Sequence, residues 1–425
     1  MHNVQINGTP LSEYIISYEE NSHAAAFVAK RLRDRIEAIC DVALNISTTS
    51  EANNSEKFIK VGPKKHVECA YGDGSLYMNE DSIFIDGNDI LGLTACASYF
   101  VSILSGYESI TDPDAVLYTT SLQSRAEYEN NAEAFLPVYR FSHTVPDERL
   151  TLSEKTKALN DPKGRPFIIA HRCEHVFYPE NSLEGALSAW RCGADSAEID
   201  IQKTSDGVWM CMHDADVTRT TNASELLSKD GFPDSPLLSD WTYDQLRQLR
   251  LKDAYGQLTP FVIPTLEEIL KACDGRIYVH IDKRFSVKDD LFPKMAELGV
   301  YKCVYFITNV DFNGVLALKD HFSDKGVRLD SLPRPAKAQS AEALAEEIVK
   351  ALPDTTPAII PLGDYVKHGE NEKKLIENYG DKLRIGAWFL RDFDTDELWL
   401  RARAEGISIF MTNRPMDMIY LLTNR

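Results

Sequence analysis

The sequence predicts an α/β fold, a (β/α)8 TIM-type barrel preceded by a small α+β domain, and three observations carry that reading. From Phe167 onward, short apolar runs alternate with helical patterns, as parallel strands joined by crossover helices do. The alternation fills about 250 residues in about eight repeats, the size of a closed barrel rather than an open doubly wound sheet. The residues before it follow a different plan, with two helical patterns and short strands. The predicted domains are therefore 1–110, an accessory α+β domain; 111–165, a connector; and 166–425, the barrel.

In the front domain, Ile6-Asn7-Gly8-Thr9-Pro10 is a turn-rich start and Tyr14-Ile15-Ile16 is extended. Phe27, Val28, Leu32, Ile36 and Ile39 recur at helical spacing between Ala24 and Ile39. Strands are expected at 58–61, 75–78 and 82–85, and a second, more apolar helix runs from a cap at Asp89 to a stop at Gly106. Asp112-Pro113-Asp114 and Asn160-Asp161-Pro162-Lys163-Gly164 break the pattern of the connector. In the barrel, strands are expected at 167–170, 196–202, 209–213, 276–282, 303–308, 327–332, 358–362, 384–389 and 408–412. Helices are expected near 183–192, 266–272, 288–298, 341–351, 370–379 and 397–405. These are nine strand segments for eight staves. Only the turn Thr204-Ser205-Asp206-Gly207 joins the second to the third, so either one stave is misassigned or the barrel begins irregularly.

A chain of 425 residues with 44% hydrophobic content can build two or three cores. Its net charge of -19 argues against a nucleic-acid partner, since backbone binding needs a basic surface to neutralise phosphates. A single phosphate needs only a local positive spot. No run reaches the ~18 apolar residues of a membrane span. Met1-His2-Asn3-Val4-Gln5 lacks the basic-then-apolar pattern of a leader, so the expected location is cytoplasmic, or exported if a leader is missing from this sequence. The eight cysteines form no C-x-x-C pair and read as buried thiols.

The chemistry concentrates between His171 and Asp214. His171-Arg172 ends the first barrel strand, and the chemistry of such barrels sits at the strands' carboxyl ends. On the second strand, alternation puts Glu198, Asp200 and Gln202 on one face and Ala197, Ile199 and Ile201 on the other. Two acids pointing into a barrel need a cation, and oxygen ligands suit a hard divalent ion, Mg²⁺ or Ca²⁺. His213-Asp214 closes the third segment.

From Pro166 on, the chain resembles the glycerophosphodiester phosphodiesterase family. The resemblance rests on His171-Arg172, Pro179-Glu180-Asn181-Ser182, Gly193-Ala194-Asp195, Glu198-Ile199-Asp200, Thr204-Ser205-Asp206-Gly207, His213-Asp214, Arg219-Thr220-Thr221, Ile263-Pro264-Thr265-Leu266-Glu267-Glu268 and Trp388. It implies metal-dependent hydrolysis of a glycerophosphodiester to glycerol 3-phosphate and an alcohol. His171 and His213 are then acid and base, Arg172 binds phosphate, and carboxylates hold the metal. It also implies an insertion at about 215–262 over the barrel mouth, and the substrate's own neighbouring hydroxyl as nucleophile. Trp388 would stack on the substrate's alcohol group.

Three positions depart from the family. Its fourth-strand Glu-x-Lys is His280-Ile281-Asp282-Lys283 here, which puts Ile281 where the third acid belongs. A bulge or register shift would turn Asp282 inward as third ligand, with Lys283 on the phosphate. The family's His-Arg-Gly is His-Arg-Cys, with Cys173 where a glycine supplies special backbone freedom. Asn413 replaces a late acid and removes a charge near the rim. The altered metal site leaves open a non-catalytic binding or scaffold protein on the same barrel. A related phospholipase acting on phosphatidylinositol or sphingomyelin would need an apolar rim, which the loops do not display. The front domain resembles the small α+β domains that precede the barrels of glycoside hydrolases, which implies contact with a glycan or cell-wall polymer.

Overall fold

The computed structural model describes residues 9–51, 57–62, 74–79, 82–87, 89–106, 116–120, 150–282, 304–308, 332–333, 340–351, 358–359 and 373–423, with short pieces at 5–6, 109–110 and 297–298. The chain divides into two compact units, Met1–Val145 and Pro146–Arg425.

The front unit is built on a six-stranded sheet. Its strands are β1 (Tyr14–Tyr18), β2 (Asn45–Thr48), β3 (Lys57–Val61), β4 (Gly74–Asn79), β5 (Ser82–Gly87) and β6 (Val116–Thr120), in the spatial order β2-β1-β3-β5-β4-β6. Helices α1 (His23–Cys40) and α2 (Ile90–Gly106) pack against each other and against the sheet. Ser22 caps α1 by accepting from the Ala25 N–H, and Val28, Leu32 and Ile36 bury the face that the spacing marks as apolar. Two strands of this sheet escape the sequence reading. β2 is an edge strand of half-exposed polar residues with little alternation to detect, and β6 falls inside the expected connector, where it pairs antiparallel with β4.

Among the described residues of the second unit, eight parallel strands follow one another. They are β7 (Phe167–Ala170), β8 (Ser196–Lys203), β10 (Tyr278–Asp282), β11 (Val304–Thr308), β12 (Leu332–Pro333), β13 (Ala358–Ile359), β14 (Arg384–Phe389) and β15 (Ile409–Thr412). Their order is β12-β11-β10-β8-β7-β15-β14-β13, so the first strand pairs with the last and the chain order runs cyclically through the sheet. The edge strands β12 and β13 lie in contact. The ninth segment of the sequence reading, β9 (Trp209–Cys211), is not a stave. It folds back antiparallel on β8 across a turn in which Gly207 takes φ +88°. The expected strand at 327–332 falls almost wholly outside the described residues, as does the expected helix at 288–298.

Among the described residues the helices include α3 (Leu152–Asn160), α4 (Leu183–Cys192), α5 (Leu266–Cys273), α6 (Ala341–Ala351), α7 (Asp396–Ala404) and α8 (Pro415–Thr423). Ser182 caps α4 and Gly193, at φ +92°, ends it; Thr265 and Glu268 form a reciprocal capping box on α5. Loss of such a cap costs about 1 kcal/mol. Phe167 and Ile169 of β7 join Tyr278, Ile409 and Met411 in an apolar cluster, which Leu159 of α3 also enters. The buried Arg384 donates to the carbonyls of Ala158, Arg165 and Ser408, and so ties β14 to the segment that leads into β7. The six cysteines among the described residues are buried free thiols. Among those residues no helix is long and apolar enough to cross a membrane.

Candidate active site

Strand register carries three carboxylates to one place. Ser196 pairs with Tyr278, Glu198 with His280 and Asp200 with Asp282, in an unbroken parallel register. Tyr278 belongs to the apolar cluster, so alternation puts His280 and Asp282 on the same side of the sheet as that core. Ile281 pairs with Ile199 and is buried on the other side. The expected need for a bulge or register shift is therefore corrected: Asp282 arrives by plain alternation, two residues after His280. Ligand oxygens of Glu198, Asp200 and Asp282 all lie within 4.8 Å of one another.

The turn after β7 wraps this cluster. Arg172 and Cys173 both adopt left-handed backbone, at φ +51° and +71°, where the glycine expected at position 173 would sit without strain. That conformation aims two backbone donors at Glu198. The Arg172 N–H donates to its Oε2 at 2.6 Å, and the Cys173 N–H to its carbonyl at 2.9 Å. Asn181, also left-handed at φ +56°, holds Asp200 at both ends. Its Oδ1 accepts from the Asp200 N–H at 2.8 Å, and its Nδ2 donates to Asp200 Oδ2 at 3.1 Å. The Arg172 guanidinium donates from Nη1 to Glu180 at 3.2 Å and sets Nε 3.8 Å from Asp200 Oδ2; among the described residues that Nε has no hydrogen-bond partner.

The two histidines differ in setting. His171 Nδ1 lies 2.7 Å from Asn413 Oδ1, a pairing that makes Nδ1 the donor and leaves the lone pair on Nε2. Burial, with His175 and Arg172 acting the same way, pushes its pKa down to about 3, so the ring is neutral at pH 7. Its place is fixed from β15, because Asp394 accepts from Thr412 Oγ1 at 2.6 Å and from the Asn413 N–H at 2.8 Å. Sequence reading missed Asn413 as a partner of His171 and took it only for a lost charge. His213 is more open, with its Nδ1 2.6 Å from Asp214 Oδ1. Gln202, on the same face of β8 as Glu198 and Asp200, donates to the His213 carbonyl at 3.0 Å. Arg219 bonds Asp214 and holds that carboxyl well below the usual range.

Two expected site residues remain. Trp388 is partly buried in register with Met411 and packs against the apolar cluster. Lys283 lies outside the described residues.

The donor set fits a hard divalent cation. Three carboxylates converge with oxygen donors alone, and burial first, then Asp200 and Asp282, push the Glu198 carboxyl well above its ordinary value. That repulsion is what a dication would relieve.

Fold and site together define an α/β protein of parallel strands with a carboxylate cluster and two histidines at their carboxyl ends. Residues 171–359 match the profile of the Glycerophosphoryl diester phosphodiesterase family, and this segment is a domain of that family. The chain is 28% identical over 168 residues to a glycerophosphodiester phosphodiesterase of Caldanaerobacter subterraneus, a match that covers 39% of this chain and 62% of that protein. Against glycerophosphodiester phosphodiesterase 1 of Bos taurus it is 32% identical over 184 residues, covering 39% and 52%. The chain thus spans less than two thirds of the length of these curated relatives. A crystal structure of a glycerophosphoryl diester phosphodiesterase from Parabacteroides distasonis shares the fold with a TM-score of 0.51 at 19% identity, over 66% of this chain and 94% of that one.

Proposed function

We propose that this chain hydrolyses glycerophosphodiesters to glycerol 3-phosphate and an alcohol, with a divalent metal, Mg²⁺ or Ca²⁺, held by Glu198, Asp200 and Asp282. The observation that carries this reading is the meeting of these three carboxylates at the His171-Arg172 turn. The same reading closes the eight parallel strands into a barrel between β12 and β13, in keeping with their cyclic order and contact.

When bound, the metal supplies Lewis-acid polarisation of the phosphoryl oxygens. Arg172 binds a non-bridging oxygen through its guanidinium, one Nη of which Glu180 restrains. The neutral His171 accepts at Nε2 the proton of the substrate's own glycerol hydroxyl as that oxygen attacks phosphorus. An attack within one molecule needs no second reactant to be brought in, and it yields a cyclic phosphate as the alcohol leaves. His213, held by Asp214 through Nδ1, gives a proton to the departing oxygen. Water then opens the cyclic phosphate with the two histidines in exchanged roles.

The test is glycerol 3-phosphate release from glycerophosphocholine, measured with added Mg²⁺ or Ca²⁺, after chelation, and for His171→Ala. Turnover that needs the metal and falls at least about 100-fold in the variant supports the reading. Turnover that survives both treatments overturns it.

A further inference from the structure

Arg219 lies in the segment that follows His213-Asp214, and its fork joins two loops. Its Nη1 and Nη2 donate to Glu180 Oε2 at 3.0 Å and Oε1 at 2.7 Å, and its Nε donates to Asp214 Oδ2. Glu180 Oε1 also takes Arg172 Nη1 at 3.2 Å, and Asp214 Oδ1 faces His213 Nδ1 at 2.6 Å. The result is a chain of alternating charge, Arg172–Glu180–Arg219–Asp214–His213, that runs from the turn after β7 to the loop after β9.

The Arg219 side chain is 49% exposed, and ion pairs so open to water contribute little to stability. Their consequence is geometric. A planar guanidinium with donors on two edges sets the angle between two carboxylates, which the point charge of a lysine does not do. Each carboxylate in turn fixes one group of the proposed chemistry, Arg172 on the phosphate and His213 on the leaving oxygen.

We propose that Arg219 is a positioning residue that couples the orientation of Arg172 to that of His213; the inference rests on the diesterase reading above. Without it, Asp214 keeps His213 but loses its own anchor, and Glu180 is free to swing with Arg172.

Two glycerol phosphodiesters test this. One releases choline, a poor leaving group that needs a proton; the other releases p-nitrophenolate, which does not. In Arg219→Ala, kcat for glycerophosphocholine is expected to fall about 30-fold and that for the p-nitrophenyl ester less than about 3-fold, because only the first needs an oriented acid. KM for both rises by a similar factor, through Arg172. Arg219→Lys, which keeps the charge and the fold, restores at most one of the two carboxylate contacts and falls between. The thermal midpoint moves by less than about 2 °C in both variants. Nitrogen NMR of the His213 imidazole, assigned with His213→Gln, reads the same link without turnover: the Nδ1–H form dominates in the parent protein and gives way to mixed tautomers in Arg219→Ala. Equal kcat losses on both esters, full rescue by lysine, or an unchanged His213 spectrum overturns the inference. A parent protein that turns over neither ester overturns the diesterase reading instead, and the His213 spectrum still decides the link.

Discussion

His171 and Asn413 stand 242 residues apart in the chain, and their Nδ1 and Oδ1 atoms are 2.7 Å apart in the fold. A neutral amide orients the ring but lends it no negative charge. Burial holds the His171 pKa down to about 3 against the lift of the Asn413 hydrogen bond, so the ring is neutral well below pH 7. In Asn413→Asp the added carboxylate is expected to raise the His171 pKa by about one to two units, read by NMR titration of its ring protons. An unchanged titration would show that the two side chains do not pair in solution.

The carboxylate cluster makes a prediction of opposite sign with and without metal. In chelator, Asp282→Asn removes one of three crowded charges and should raise the thermal midpoint. With Mg²⁺ or Ca²⁺ the same variant should lose most of the stabilisation that the parent protein gains, because a ligand stabilises only the fold that binds it. Calorimetric titration should show affinity weakened by about 10-fold or more. Ile281→Val, on the opposite face, should leave metal affinity unchanged. If both variants behave alike, the cluster is not the metal site.

Glu174 is fully buried, and burial lifts its pKa to about 7 although Val176 N–H and Ser188 Oγ donate to it. Its folded pKa stands above the unfolded value of 4.5, so its contribution to stability is complete below about pH 4.5 and is lost as pH rises through 7. The parent protein should thus lose up to about 3 kcal/mol over that interval on account of this side chain. Glu174→Gln should flatten the decline, as followed by denaturant unfolding at pH 5 and pH 8. A decline of equal size in both proteins would place its source elsewhere.

Cys173 holds φ +71° with its side chain fully buried. Cys173→Gly relieves left-handed strain of about 1–2 kcal/mol and gives up a comparable amount of burial, so its stability should stay within about 1 kcal/mol of the parent. A β-branched residue tolerates this backbone far worse, and Cys173→Val should cost about 2–3 kcal/mol in the same unfolding assay. The native thiol should resist alkylation, since burial pushes its pKa well up.

What could be read from the sequence was whatever local periodicity controls. The two-residue alternation that put Glu198 and Asp200 on one face needed nothing beyond the strand itself, and the helix at 183–192 nothing beyond its own spacing. Asp282 was legible by the same rule, counted from Tyr278 through His280; matching the segment to an outside pattern position by position obscured it. The antiparallel return of β9 had its signal in the short turn at Gly207, too brief for a crossover. The pairings of Asn413 with His171 and of Arg219 with Glu180 could not be found this way, because the partners stand 242 and 39 residues apart and are brought close only by the sheet and its loops.

The pairing of β7 with β15 also bears on synthesis. As the polypeptide leaves the ribosome, Phe167–Ala170 must wait with one edge bare until Ile409–Thr412 has emerged. His171 acquires its orienting amide at the same late moment. A nascent chain stalled before that point would hold its acidic residues without the finished histidine beside them, so the candidate site is expected to complete only when β15 has paired with β7.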